Sequence, residues 1–87
     1  MKIQLNKKLI RHLEFAGYWI NLYPKNSTLK AVEFYLLGIS DEITKETIWI
    51  PKSSIENGRD GDRYYGLDWI FDNPENQDKL ERIGYRL

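Results

Sequence analysis

Residues 31 to 38 divide into two sets of alternate positions, one without polar side chains and one that contains Glu33 and Tyr35. A period of two is that of a β-strand, whose successive side chains point to opposite faces of a sheet. We expect the more uniformly apolar face to point to the core: Val32, Phe34, Leu36 and Gly38. The opposite face would carry Ala31, Glu33, Tyr35 and Leu37. After a polar connection the extended pattern resumes at Thr47 to Ile50, which predicts a hairpin.

The second strand of this hairpin runs into Pro51. Proline has no N–H to donate to a ladder, so we expect the strand to end there or to lie at a sheet edge. Ser53 and Ser54 are then expected to turn the chain by bonding their own backbone.

The first part of the chain supports fewer firm assignments. Residues 2–5 alternate and predict a short strand. Residues 6–17 fit either a helix capped by Asn6 and ended by Gly17 or, in their second half, a strand, which we favour slightly.

The next stretch is richer in strand-forming residues. Tyr18 to Tyr23 is dense in aromatic and β-branched types, which predicts a strand that Pro24 closes. Residues 25–28 have the composition of a turn.

The last third contains a loop signal and a helix signal. Residues 57–63 mix two glycines with charged side chains and predict a mobile loop, and a second aromatic-rich stretch follows. Asn73 and Pro74 are a typical helix start, and Gly84 a typical end. Leu80 and Ile83 would form the apolar stripe of this helix. The sequence therefore predicts an α+β fold, a small antiparallel sheet of four or five strands with one C-terminal helix.

Length and composition bound the core. The 87 residues suffice for one small domain, residues 1–87, and the three tryptophans, six tyrosines and three phenylalanines supply large apolar surfaces for it. No cysteine is present, which excludes disulfides and thiolate metal sites. The first residues form no long apolar segment, so we expect no membrane span and a cytoplasmic location, in a bacterial host.

Charge is unevenly distributed along the chain although the formal net charge is zero. Residues 1–30 carry six lysines and arginines against Glu14 alone, whereas residues 31–87 are acidic on balance. Such a distribution can steer a charged partner, but a dedicated duplex binder usually has a strongly basic balance.

Few residues offer catalytic chemistry. His12, the only histidine, would share a strand face with Glu14, but a lone histidine near lysines is more often a surface residue. Ser53 and Ser54 have no recognisable base. Asp60, Gly61 and Asp62 do not fit the spacing of a calcium loop, and Asp68 and Asp72 are best interpreted as solubilising charges. We expect no enzyme, no metal and no cofactor.

Binding is better supported by the composition. Tyrosine and tryptophan dominate protein interfaces, and the charged loop with its aromatic flank is the predicted protein-binding surface: Arg59, Asp60, Asp62, Arg63, Tyr64, Tyr65 and Trp69. The alternative is a single-stranded nucleic-acid binder that stacks bases on tryptophans and holds the backbone with cations: Lys7, Lys8, Arg11, Trp19, Lys30, Trp49 and Lys52.

Part of the chain resembles small uncharacterised proteins of bacteriophages and mobile elements. The resemblance lies in Lys30 to Val32, the run Thr47 to Ile55 with its Trp-Ile-Pro-Lys-Ser motif, and Leu67 to Ile70. The chain departs from that pattern in an enlarged loop at residues 57–63 and a terminal helix. The resemblance implies a phage setting, in which small proteins often occupy a surface of a host machine. We therefore expect a phage-type binding protein for a host protein or ribonucleoprotein complex, such as an inhibitor of a CRISPR effector.

Overall fold

A computed structural model describes residues 4–87 as one sheet with helices packed against one of its faces. The strands are β1 Arg11–Phe15, β2 Tyr18–Ser27, β3 Ala31–Leu37, β4 Ile43–Pro51, β5 Arg59–Asp60 and β6 Arg63–Tyr64. The α-helices are α1 Lys52–Gly58 and α2 Pro74–Arg82, and short 3-10 helices span Lys7–Leu9 and Asp68–Asp72. The strand order is β4-β3-β2-β1-β6-β5. Neighbours are antiparallel except β1 and β6, which are parallel.

The predicted α+β class and the predicted hairpin are confirmed. β3 pairs with β4 so that Phe34 lies opposite Ile48 and Val32 opposite Ile50. Phe34 and Leu36 belong to the buried core, as their strand face predicted. β4 is an outermost strand and ends at Pro51, where the missing N–H costs no ladder bond. The sheet has six strands rather than the expected four or five, and one of its strand pairs, β1 with β6, is parallel rather than antiparallel.

The ambiguous residues 6–17 divide into two elements. The Asn6 side chain accepts a hydrogen bond from the Lys8 N–H and caps a single 3-10 turn, and β1 occupies the second half, as favoured. Ala16 and Gly17 then connect β1 to β2, and both have positive φ, 52° and 81°. Two such residues between paired strands form the tight turn whose twist matches a hairpin.

Two predictions about strand boundaries are wrong. Gln4 and Leu5 are not in a strand, while the first three residues lie outside the described part of the chain. Pro24 does not close β2, which continues to Ser27. A register shift follows the proline, with Lys25 as the extra residue between Pro24 and Asn26, and prolines inside sheets are found at such bulges.

The predictions for residues 53–63 are also wrong. Ser53 and Ser54 lie in α1, a helix that packs the buried Ile55 into the core. The expected mobile loop is the end of α1 followed by the two-residue strands β5 and β6, which pair with each other. β6 then joins the sheet beside β1, with His12 opposite Arg63 and Leu13 opposite Tyr64.

The C-terminal helix is built as predicted. Asn73 accepts a hydrogen bond from the Glu75 N–H, Pro74 occupies the first turn, and Gly84 follows the helix with φ 107°. Leu80 is fully buried in the core. The Lys79 ammonium donates to the Thr47 carbonyl oxygen at 2.8 Å, so α2 is tied to the edge strand β4.

The sheet therefore has two unlike faces. The covered face carries Leu13, Ile20, Leu22, Phe34, Leu36 and Tyr64, which pack with residues of the helices. The opposite face, which we call the open face, carries the alternate residues, among them His12, Trp19, Asn21, Glu33, Trp49 and Arg63.

Candidate functional site

Two tryptophans lie half-exposed on the open face. Trp19 on β2 is 43% exposed and Trp49 on β4 is 48% exposed. They lie on strands separated by β3, and Trp19 has polar and aromatic neighbours from several elements. The region around Trp19 is therefore the candidate site.

Trp19, Arg63 and Tyr65 form a contiguous group, which we call the Trp19 site. The Arg63 guanidinium lies over the Trp19 ring, with Cζ 5.5 Å from the ring centroid. The Tyr65 ring meets Trp19 edge-on, with centroids 6.2 Å apart and planes at 84°. A cation over an indole and an edge-to-face ring pair are both attractive arrangements, so the three side chains hold one another in place while staying accessible.

A polar network borders the Trp19 site. His12 Nδ1 lies 2.5 Å from Asn21 Oδ1, and His12 Nε2 lies 3.5 Å from a carboxylate oxygen of Asp62. The Asn21 amide also donates to the Asp41 carboxylate. With His12, Asn21 and Arg63, Trp19 lines a shallow cleft of about 280 Å³.

The parallel pairing of β6 with β1 creates this grouping. It places Arg63 level with His12, and the antiparallel β1–β2 pairing places His12 level with Asn21, two residues from Trp19. Residues from opposite ends of the sequence therefore meet on three adjacent strands. Tyr65 is fixed by its N–H, which donates to the Gly58 carbonyl oxygen at 2.8 Å.

The charge around the Trp19 site is mainly negative. Glu14 lies opposite Trp19, and Asp60 lies opposite Arg63. The Asp62 carboxylate lies beside His12, and the Asp41 carboxylate accepts a hydrogen bond from the Asn21 amide. Four acidic residues thus lie beside the Trp19 site, which contains one guanidinium, that of Arg63.

At the Trp49 end of the open face, a buried glutamate, Glu33, is held by hydrogen bonds. Glu33 is only 9% exposed and lies opposite Trp49. It accepts hydrogen bonds from the Asn26 amide at 2.9 Å and the Thr47 hydroxyl at 2.9 Å. The hydrogen bond from Asn26 is the main cause that lowers the pKa of Glu33, and burial opposes it. The Thr47 hydrogen bond and the charges of Lys25 and Lys79 lower this pKa further. Glu33 therefore holds three strands together as a carboxylate.

The structure divides the predicted protein-binding residues. Arg63 and Tyr65 belong to the Trp19 site, and Asp60 and Asp62 flank it. Tyr64 is 4% exposed and points to the covered face, where it packs in the core. Arg59 lines a different cleft, on the covered side of the sheet. Trp69 lines a third cleft, which Tyr65 also lines.

The predicted nucleic-acid-binding residues do not come together on one surface. Trp19 and Trp49 lie on the open face, whereas Arg11 and Lys52 line a cleft with core residues of the covered face. Lys7 and Lys8 lie in the first 3-10 helix, and Lys30 lies in the β2–β3 turn. The sheet therefore separates the two tryptophans from Arg11 and Lys52.

The residues weighed for catalysis have other contacts. His12 and Glu14 share the open face, as their spacing predicted, but His12 contacts Asn21 and Asp62. Ser53 and Ser54 are helical. Within residues 4–87, no three side chains of histidine, aspartate or glutamate come together as a set that could hold a metal ion.

Sequence reasoning missed Asn21 and Asp41, which join the network at the Trp19 site. Asn21 could have been found, because it stands two residues after Trp19 on a predicted strand and so shares its face. Asp41 could not, because its position depends on the path of the β3–β4 connection.

Comparison with protein families, curated proteins and solved structures finds no match to this chain. The resemblance to phage proteins therefore stays a prediction from the sequence. Within the described residues 4–87, no helix has both the length and the apolar character needed to span a membrane.

Proposed function

We propose that this chain is a non-enzymatic binding protein that recognises a partner protein through the Trp19 site. The observation that carries the proposal is the half-exposed Trp19 ring held between the Arg63 guanidinium and the edge of Tyr65. Tryptophan, tyrosine and arginine are the residues most enriched in the energetic centres of protein interfaces.

Pre-organisation favours this group over the other exposed aromatic residues. Ordering a long side chain on binding costs about 0.5–1.5 kcal/mol, so a side chain already held in place loses less. The Arg63 side chain lies over Trp19, the Tyr65 ring packs edge-on against Trp19, and the Tyr65 backbone is fixed by its bond to Gly58.

The surrounding charge favours a protein over a nucleic acid. Glu14, Asp41, Asp60 and Asp62 would repel a phosphate backbone, whereas they complement a protein surface with basic residues around an apolar patch. We therefore infer a partner whose contact surface is basic at its rim.

The sequence resemblance supports one class of partner. A phage-type protein in a bacterial cytoplasm would act by occupying a surface of a host protein or ribonucleoprotein complex, and a defence complex such as a CRISPR effector is the first to test. In a ribonucleoprotein, we expect the contact to be with the protein component.

Affinity capture from a host lysate tests the proposal. The tagged chain should recover a stoichiometric protein partner, and Arg63→Glu should abolish the recovery because it adds a fifth acid and removes the cation over Trp19. Lys45→Glu, which makes the same charge change at an exposed position on β4, is the matched control and should retain the partner.

Two results would contradict the proposal. One is recovery of no stoichiometric protein; the other is equal recovery by the wild type and Arg63→Glu. A labelled single-stranded oligonucleotide tests the alternative: binding with a steep salt dependence, reduced by Lys52→Glu, would favour a nucleic-acid binder instead.

A further inference from the structure

A second cleft, distinct from the Trp19 site, opens beside the covered face of the sheet. Its volume is about 290 Å³, at the small end of the range for ligand sites. We call it the Arg11 cleft, after one of the cations that line it: Arg11, Lys52 and Arg59, with Glu56, Phe34 and Tyr64.

The three cations come from three different elements. Arg11 begins β1, Lys52 begins α1 and Arg59 begins β5. Glu56 is the only acidic residue that lines the cleft, so the lining is positive on balance. The cations paired with acids within residues 4–87 are Lys25 and Arg82, and the Asp62 contact of His12 is an ion pair only when the imidazole is protonated. Backbone carbonyl oxygens orient two of the guanidinium groups, since Arg11 donates to Lys8 and Arg59 to Gly61.

The lining of the cleft is also aromatic. Phe34 and Tyr64 meet edge-to-face, with ring centroids 6.1 Å apart and planes at 70°. Both belong to the packed core and are only 2% and 4% exposed, so they form a rigid floor, and the more accessible Pro24 and Val32 complete the apolar lining. Burial raises the pKa of the Tyr64 phenol, against the opposing effects of Arg11 and Arg59, so the phenol is neutral at physiological pH.

We propose that the Arg11 cleft binds a small aromatic anion, with its ring against the apolar lining that Pro24 and Val32 form together with Phe34 and Tyr64, and its anionic group at the cations Arg11, Lys52 and Arg59. Guanidinium groups match the geometry of phosphate and carboxylate oxygens, and the apolar lining offers a ring contacts that a bare inorganic ion cannot use. A phosphate monoester of an aromatic alcohol and an aromatic carboxylate share this chemistry.

The proposal is independent of the Trp19 site, because the two sites use opposite sides of the sheet. Trp19 lies on the open face, whereas Phe34 and Tyr64 belong to the covered face. A ligand in the cleft therefore leaves Trp19 free.

Titration of the ¹⁵N-labelled chain with phenyl phosphate, followed by amide chemical shifts, tests the proposal. We expect saturable shifts at Lys52, Arg59 and Tyr64, with an affinity at least about tenfold higher than for inorganic phosphate or phenol. Benzoate distinguishes the two anions: the tighter of phenyl phosphate and benzoate identifies the group that the cleft prefers.

Variants locate the binding. Arg59→Gln and Lys52→Gln should each weaken phenyl phosphate about tenfold, and Lys45→Gln, an exposed lysine on β4, should leave the affinity unchanged. Dispersed amide spectra show that each variant is folded. The proposal is overturned if no saturable shift occurs up to about 10 mM, if inorganic phosphate binds as tightly, or if Lys45→Gln weakens binding equally.

Discussion

The guanidinium of Arg63 lies over the indole of Trp19, with its Cζ 5.5 Å from the ring centroid. The two residues are far apart in the chain, and β1 lies between their strands. The contact thus links β6, the last strand along the chain, to β2, the longest strand. It holds together the cation and the ring that we propose as the centre of a protein-binding surface.

Removing this cation should expose Trp19. In a background with Trp49→Phe and Trp69→Phe, the only remaining indole is Trp19, and we expect Arg63→Ala to increase the quenching of its fluorescence by acrylamide. The reason is that the guanidinium covers one side of a ring that is already 43% exposed. Lys45→Ala in the same background is the control, and an equal change in both variants would show that Arg63 does not cover the ring.

Gly58 controls the position of Tyr65. A Cβ added at Gly58 would collide with the Tyr65 carbonyl oxygen, a backbone atom that cannot rotate away. We expect Gly58→Ala to reduce the free energy of unfolding by about 1–3 kcal/mol, measured by urea denaturation, and to shift the amide signals of Tyr65 and Trp19. Unchanged stability and unchanged signals would mean that the chain at Gly58 relaxes freely.

The β1–β2 turn contains a correctable strain. Ala16 adopts φ 52°, a left-handed conformation that is unfavourable for alanine and tolerated by asparagine. Ala16→Asn should increase the free energy of unfolding by about 0.5–1 kcal/mol, because Asn-Gly is the preferred pair in this turn. Gly17→Ala, at φ 81°, should decrease it by about 1 kcal/mol. The two variants should move the urea midpoint in opposite directions, and movement in the same direction would contradict this turn geometry.

Glu33 should make the stability of the fold depend on pH in the acid range. Its pKa is lowered in the fold, first by the Asn26 hydrogen bond and then by Thr47 and nearby lysines. A lowered pKa means that the stabilisation is present above the ordinary value of 4.5 and is lost as the pH falls through the folded value.

Thermal unfolding of Glu33→Gln measures this contribution. The variant should melt below the wild type at neutral pH, and the difference should shrink at acid pH, as the pH falls from 4.5 through the lowered pKa of the wild-type carboxyl group. Glu81→Gln, on the exposed side of α2, should follow the wild type at both pH values. A Glu33→Gln difference that is constant with pH would argue against the assigned role of the carboxylate.

The parts of the fold that could be predicted are those with local signals. Alternation identified β3, its partner strand and the core position of Phe34, and capping residues identified α2 through Asn73. The prediction that Pro24 ends the strand is wrong, because a bulge next to the proline lets β2 continue to Ser27. β5 and β6 were missed because strands of two residues are too short to alternate.

The candidate site could be predicted only in pieces. Arg63 and Tyr65 were selected for protein binding, and Trp19 for nucleic-acid binding, because each lies in its own local stretch of sequence. Their meeting depends on the parallel pairing of β6 with β1, a long-range contact that no local pattern specifies. The same topology separates Trp19 from Lys52, which the sequence had grouped together.

The most direct test of the proposed function compares two tryptophans of nearly equal exposure on the same sheet face. With the captured partner purified, its affinity should be measured by calorimetry for the wild type, Trp19→Ala and Trp49→Ala. We predict that Trp19→Ala weakens binding by about 30-fold, equivalent to about 2 kcal/mol, while Trp49→Ala changes it by less than about threefold. Equal affinities for the wild type and Trp19→Ala, or a larger loss with Trp49→Ala, would contradict the assignment of the Trp19 site.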